Sequence, residues 1–135
     1  FPTRRSSDLG DYAWQLFANA EKLKAGAQKA LEAKALKLTG GPQHPPPPKD
    51  RTVYGVLVAK GEADVFLTYC TNAILAKREE PQLQVVAIPD DLNVGADYGM
   101  VVMTGAKSAG GRFAQFLLSP DGQAILGAFG FAPPR

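Results

Sequence analysis

The chain has 135 residues, enough for one ordinary domain and too few for two full ones. It is 45% hydrophobic and 21% charged, a globular composition, and 15 basic against 13 acidic residues give no basis for a nucleic-acid or anionic-membrane partner. One cysteine (Cys70) and one histidine (His44) leave no internal disulfide, cysteine zinc cage or multi-histidine site within these residues, and no apolar run is long enough to span a membrane.

Phe1-Pro2-Thr3-Arg4-Arg5-Ser6-Ser7-Asp8-Leu9 has no periodicity and resembles, codon by codon, the translation of a short-read sequencing adapter. The expectation is that residues 1–9 are not native and that the chain is the C-terminal part of a longer protein. A short polar tail is the alternative.

Gly10 to Leu38 reads as helical, with Ala13, Leu16, Phe17, Ala20 and Leu23 at helical spacing. Asp11 is read as an N-cap or first-turn acid, and Gly26 as a break before a second helix. Lys22, Lys24, Lys29, Lys34 and Lys37 make this stretch basic. An anionic partner is one reading; a solvated helix face is preferred. Thr39-Gly40-Gly41-Pro42 ends the helix, and Pro45-Pro46-Pro47-Pro48 reads as a stiff loop rather than a ligand for a proline-reading module, with His44 exposed in it.

Val53, Val56, Leu57 and Lys60 mark a short amphipathic helix, capped by Asp50 or Thr52 and closed by Gly61. Residues 63–69 are apolar and rich in strand formers, so they read as a buried strand. Thr71-Asn72 is expected to cap a helix that runs to about Arg78 and stops before Pro81. Residues 83–88 and 98–103 read as further strands. Phe113, Phe116 and Leu117 give a helix face, and Ser119-Pro120 starts a last helix that buries Ile125, Leu126 and Phe129 and ends at Gly130. The alternation of strands and helices predicts an α/β fold.

The chemically informative point is the strand ending in Tyr69, followed by Cys70-Thr71-Asn72 at a helix start. A helix start offers unpaired N–H groups and a positive dipole end, and the hydroxyls of Tyr69 and Thr71 add neutral donors. That set suits an oxyanion without a lysine or arginine. Helix starts at Thr52-Val53 and Gly10-Asp11 are candidates to converge on the same point. On the residues alone, a buried tyrosine with a satisfied hydroxyl is the preferred reading of Tyr69. Cys70 at a helix start is a conceivable nucleophile, but a small buried residue is preferred, because the lone histidine sits in a proline loop. Nothing in the sequence pairs Asp11, Glu62 or Asp64 for acid–base work.

Several segments resemble the molybdate-binding proteins of bacterial ABC transporters. They are Gly61-Glu62-Ala63-Asp64-Val65, Tyr69-Cys70-Thr71-Asn72-Ala73, the strand from Val85 to Pro89, Gly10-Asp11-Tyr12-Ala13, and the ending from Phe116 to Leu126 with Gly130-Phe131. The resemblance runs over 10–135 and covers only the C-terminal half of such a protein. It implies a truncated, class II periplasmic-binding-protein-like α/β fold, with 10–96 as the second lobe and 97–135 as the C-terminal return to the first lobe. It also implies an extracytoplasmic, periplasmic receptor, monomeric at full length, which captures an oxyanion, molybdate or tungstate first, for the membrane subunits of an importer. Neither catalysis, a cofactor nor nucleic acid is expected.

Carried over, Tyr69 matches the tyrosine that donates its hydroxyl, and Val53 or Thr52 falls near the position whose backbone amide binds. Gly10 is the nearest native candidate for a second amide, and Thr71 is added from the helix start. Asn72 stands where that family usually has Asp; Asp11 and the proline loop also depart from its pattern. The effector domain of a transcriptional regulator with the same two-lobed fold is the alternative function.

Overall fold

Local punctuation sets the helix boundaries in the computed structural model, which describes residues 8–36, 38–39 and 51–134. The chain divides into two units, Phe1–Gly95 and Ala96–Arg135. Residues 1–7, the polyproline run and His44 lie outside the described residues.

In the first unit, α1 spans Asp8–Leu23 and α2 spans Ala27–Lys34. Gly10 and Asp11 both lie inside α1, so Asp11 is not its N-cap. Gly26 separates the two helices in the left-handed region (φ 84°), a conformation in which a Cβ would be strained. The Glu21 carboxylate closes this turn, accepting from Gly26 N–H at 2.8 Å and from Gln28 N–H at 2.9 Å. These backbone donors hold the Glu21 carboxyl below its ordinary pKa. The second helix stops at Lys34, short of the predicted Leu38.

Next come α3, Val53–Ala59, and α4, Cys70–Glu79. Gly61 closes α3 as expected, with φ 72° and Glu62 N–H returning to Leu57 O at 2.9 Å. The two helices pack antiparallel: Thr52 meets Glu79 at one level, and Gly55 faces Ala76 at the next. Gly55 is buried, and a Cβ there would lie 3.1 Å from Ala76 Cβ, so its lack of a side chain sets the helix spacing. Phe17 and Ala76 are the buried apolar side chains among the described residues. Trp14 packs edge-on against Phe17 at 5.3 Å, and Tyr54 tilts over Phe66 at 4.8 Å.

The second unit contains α5, Ser108–Leu118, and α6, Pro120–Ala128. Ser119 caps α6 as predicted: its Oγ accepts from Gly122 N–H at 3.2 Å, and Pro120 fills the first helical position. Gly122 is buried where α6 crosses α5, and a Cβ there would run into the Phe116 carbonyl and lie 2.9 Å from Leu117 Cα. Tyr98 packs edge-on against Phe131 at 5.4 Å. Of the three residues expected to be buried by α6, Leu126 is half-buried, whereas Ile125 and Phe129 are exposed, as are Phe113 and Phe116 of α5.

Among the described residues no strand ladder forms. The segments 63–69 and 83–88 of the first unit and 98–103 of the second are extended stretches without a ladder, and Val86 and Val101 are 79% and 82% exposed. A strand is held by its neighbour's backbone, so residues of strand-forming type need a partner before the ladder exists.

Candidate functional site

Tyr69 is the N-cap of α4, with extended backbone (φ −67°, ψ 149°), and α4 begins at Cys70. Thr71 and Asn72 therefore lie inside the first turn rather than capping it, which corrects the sequence expectation. Asn72 turns back instead, its Nδ2 donating to Thr68 Oγ1 at 3.2 Å. Among the described residues no side chain caps the start of α4, and no acidic residue lies in its first turn. Its N–H groups and dipole thus face no internal carboxylate.

A cavity of about 50 Å³ lies beside this start, lined by Tyr12, Ala13 and Leu16 of α1, by Leu67, Thr68 and Tyr69, and by Ile88, Asn93 and Val94. The volume holds a few waters or a small ion. No charged side chain is among the described lining residues. Tyr12 meets Tyr69 edge-to-face, with ring centroids 6.1 Å apart. Tyr12, Ala13 and Leu16 reach the cavity together because residues three and four apart share a helix face.

Three other helix starts are closed from within, whereas α5, like α4, has neither a side-chain cap nor a first-turn acid among the described residues. The α2 start is bound by Glu21, and the α6 start by Ser119 with Asp121 in its first turn. The α3 start is bound by Glu79, whose Oε2 accepts from both Thr52 N–H (2.7 Å) and Thr52 Oγ1–H (2.8 Å). These bonds, above all the one from Thr52 N–H, hold the Glu79 carboxyl below its ordinary pKa, with the Arg51 guanidinium adding a smaller pull. Arg51 also pairs with Glu80.

The expected site residues are therefore separated. Thr52 spends its backbone N–H and its hydroxyl on Glu79, and Val53 follows it as the first residue of α3. Both sit beside the far end of α4, roughly 13 Å from its start at 1.5 Å per residue. The convergence of Thr52-Val53 with Tyr69 is thus not what this conformation shows. Gly10 lies in the first turn of α1, two residues before Tyr12. Thr71 is half-buried in the first turn of α4, outside the cavity wall. Cys70 is exposed, which corrects the expectation of a small buried residue: as the first residue of α4 it faces solvent rather than the helix pair. No cluster of three or more His, Cys, Asp or Glu side chains suited to a metal exists among the described residues.

Sequence reasoning missed Tyr12 and Asn93. Tyr12 was within reach, since it shares a helical face with Leu16 and follows Gly10 closely. Asn93 gave no signal, because its place depends on a turn docking against α1 across 73 residues.

Comparison with known proteins places the chain. It is 33% identical over 132 residues to an uncharacterised protein of Pasteurella multocida, covering 97% of this chain and 53% of that protein. It is 31% identical over 78 residues to a sulfate-binding protein of Synechococcus elongatus, covering 55% of this chain and 22% of that one. It is also 31% identical over 93 residues to a sulfate-binding protein of Synechocystis, covering 64% and 26%. The chain thus spans about half the length of the Pasteurella relative and about a quarter of the other two. No solved structure matches it. The family model described as bacterial extracellular solute-binding protein matches residues 1–132, and the chain belongs to that family.

Proposed function

We propose that this chain is part of an extracytoplasmic receptor that captures an oxyanion for an ABC importer, with molybdate or tungstate the favoured ligands. The observation that carries the reading is the start of α4: among the described residues it has no side-chain cap or first-turn acid and lies beside a cavity without charged lining, while carboxylates or a serine close α2, α3 and α6 and α5 is likewise uncapped. An oxyanion there meets backbone N–H groups and the phenolic Tyr69, all neutral donors. The 31% identity to two sulfate-binding proteins supports an anionic ligand, and the extracellular description of the family supports an importer over a regulator.

Molybdate and tungstate are larger than sulfate at equal charge. A rigid ring of neutral donors separates them by size, which charge alone does not do, and it buries no unpaired protein cation. The fold that goes with this reading is a two-lobed α/β receptor in which 63–69, 83–88 and 98–103 are sheet strands, and 97–135 returns to a first lobe. The importer's membrane subunits would read the closed form of the two lobes. The role is binding without a chemical step, and exposed Cys70 has no part in it.

Isothermal titration of the protein with molybdate, tungstate and sulfate tests the reading. The expected result is saturable binding that Tyr69→Phe weakens roughly ten- to a hundredfold, the worth of one hydrogen bond to a charged group. Binding of none of the three would end the oxyanion reading. Unchanged affinity in Tyr69→Phe would remove the tyrosine from the site.

A further inference from the structure

In the second unit, residues 97–110 are all exposed. Within them, Tyr98-Gly99-Met100-Val101-Val102-Met103 carries no charge and no proline and is rich in strand-forming types, the composition of a segment that pairs with another strand. Alternate residues of an extended chain point to opposite faces, and here both faces are apolar and open: Val101 and Met103 are 82% and 73% exposed, Tyr98 69%. The backbone is equally uncommitted. No N–H group from Tyr98 to Met103 donates to a backbone carbonyl among the described residues, and of the carbonyls only that of Met103 accepts, from Ala106 N–H at 3.0 Å. The unit also lacks a core of its own: no apolar side chain between Ala96 and Arg135 is buried among the described residues, and no cysteine lies there. A unit of about 40 residues without a disulfide generally depends on association.

Charge selects the partner and its direction. Asp97 stands immediately before the segment, and Lys107 follows it beyond the turn at 103–106. Both are exposed, neither forms an ion pair among the described residues, and no residue between them is charged. Two copies laid antiparallel bring Asp97 of each copy to the Lys107 end of the other, so the favourable contact occurs twice by symmetry. A parallel pair would set Asp97 against Asp97 and Lys107 against Lys107, and like charges across a strand pair are destabilising.

We propose that 98–103 is a homodimer edge, at which two copies of this chain pair these segments antiparallel. The arrangement is two-fold and closes on itself, so it yields dimers rather than open fibres. The inference does not rest on the oxyanion reading. It is compatible with a sheet role for 98–103, because a strand paired on one side still offers its other edge.

The deciding experiment is sedimentation velocity of the protein across the micromolar range, with amide hydrogen exchange on the same samples. The expected result is a reversible monomer–dimer equilibrium in which the N–H groups of 98–103 gain protection in step with the dimer fraction. Asp97→Lys alone, or Lys107→Asp alone, should weaken the dimer about tenfold, most strongly at low salt, since each sets two like-charged pairs across the interface. The double variant carrying both changes should return to within about threefold of the parent, a rescue that damage to the fold would not produce. A monomer at every concentration, a dimer with 98–103 unprotected, growth beyond the dimer, or a double variant no tighter than the single ones would each overturn the proposal.

Discussion

The α3–α4 pair and the α5–α6 pair solve the same problem in opposite ways. Each packs two short helices around a glycine, and each must satisfy the exposed start of a helix. In α5–α6 the solution is local: Ser119 caps α6, and Gly122, three residues on, sits against the backbone of α5. In α3–α4 the solution is distant: Glu79, 27 residues from Thr52, supplies a carboxylate to the start of α3, and Gly55 faces a side chain, Ala76. Local closure serves α6 alone and leaves the start of α5 without a side-chain cap among the described residues. Distant closure binds one end of the pair to an internal anion and leaves the other end, the start of α4, open beside the Tyr12–Tyr69 cavity.

The largest difference between the pairs should come from adding a methyl group to each glycine. In Gly122→Ala the new Cβ meets main-chain atoms, the Phe116 carbonyl and Leu117 Cα, which cannot swing away. The expected loss is at the upper end of overpacking, about 3 kcal/mol, read as a lowered midpoint in thermal unfolding followed by circular dichroism. Ser119→Ala comes next. It removes the cap of α6 and should cost about 1 kcal/mol, with little dependence on pH. Gly55→Ala should do least of the three. Its Cβ would lie 3.1 Å from Ala76 Cβ and from Thr52 Oγ1, side-chain atoms that can yield by a few tenths of an ångström. The helix propensity gained by alanine, about 1 kcal/mol, offsets most of that strain. A Gly55→Ala variant less stable than Gly122→Ala would invert the comparison.

What the sequence made legible follows the same division. Gly26, Gly61 and the Ser119-Pro120 start were readable because each acts on its own neighbours, through a positive φ or a hydroxyl three residues from the amide it caps. Tyr69 at a helix start was readable too, as a strand-like run giving way to a helical pattern. The Glu79–Thr52 and Asn19–Leu92 bonds were not, since no local pattern records which distant residue a carboxylate or carboxamide will meet. That is why Thr52 and Val53 were placed at the ligand on sequence grounds, whereas here Thr52 serves Glu79. The strand expectation differs in kind. Residue type marks 83–88 and 98–103 as strand-forming, but a ladder also needs a partner, and sequence propensity supplies only half of that condition.

The smallest predicted effect is also the most specific to distant closure, because it depends on charge. Glu79 accepts two hydrogen bonds in the folded chain, and its carboxyl is held below the ordinary range. The unfolded chain, with an ordinary glutamate near pKa 4.3, therefore binds more protons in mild acid. The contribution of this contact is complete above that value and is lost as pH falls through the lower folded one. Glu21 at the start of α2 behaves alike, so the acid limb of stability against pH should flatten in part with Glu79→Gln and further with Glu21→Gln added. Ser119→Ala should leave the shape of that limb unchanged, since a hydroxyl cap carries no titrating charge. An acid limb identical in Glu79→Gln and the parent would mean that the carboxylate does not hold the start of α3 in solution. The start of α3 would then be as open as those of α4 and α5, and an open start would no longer set α4 apart from the helix it packs against.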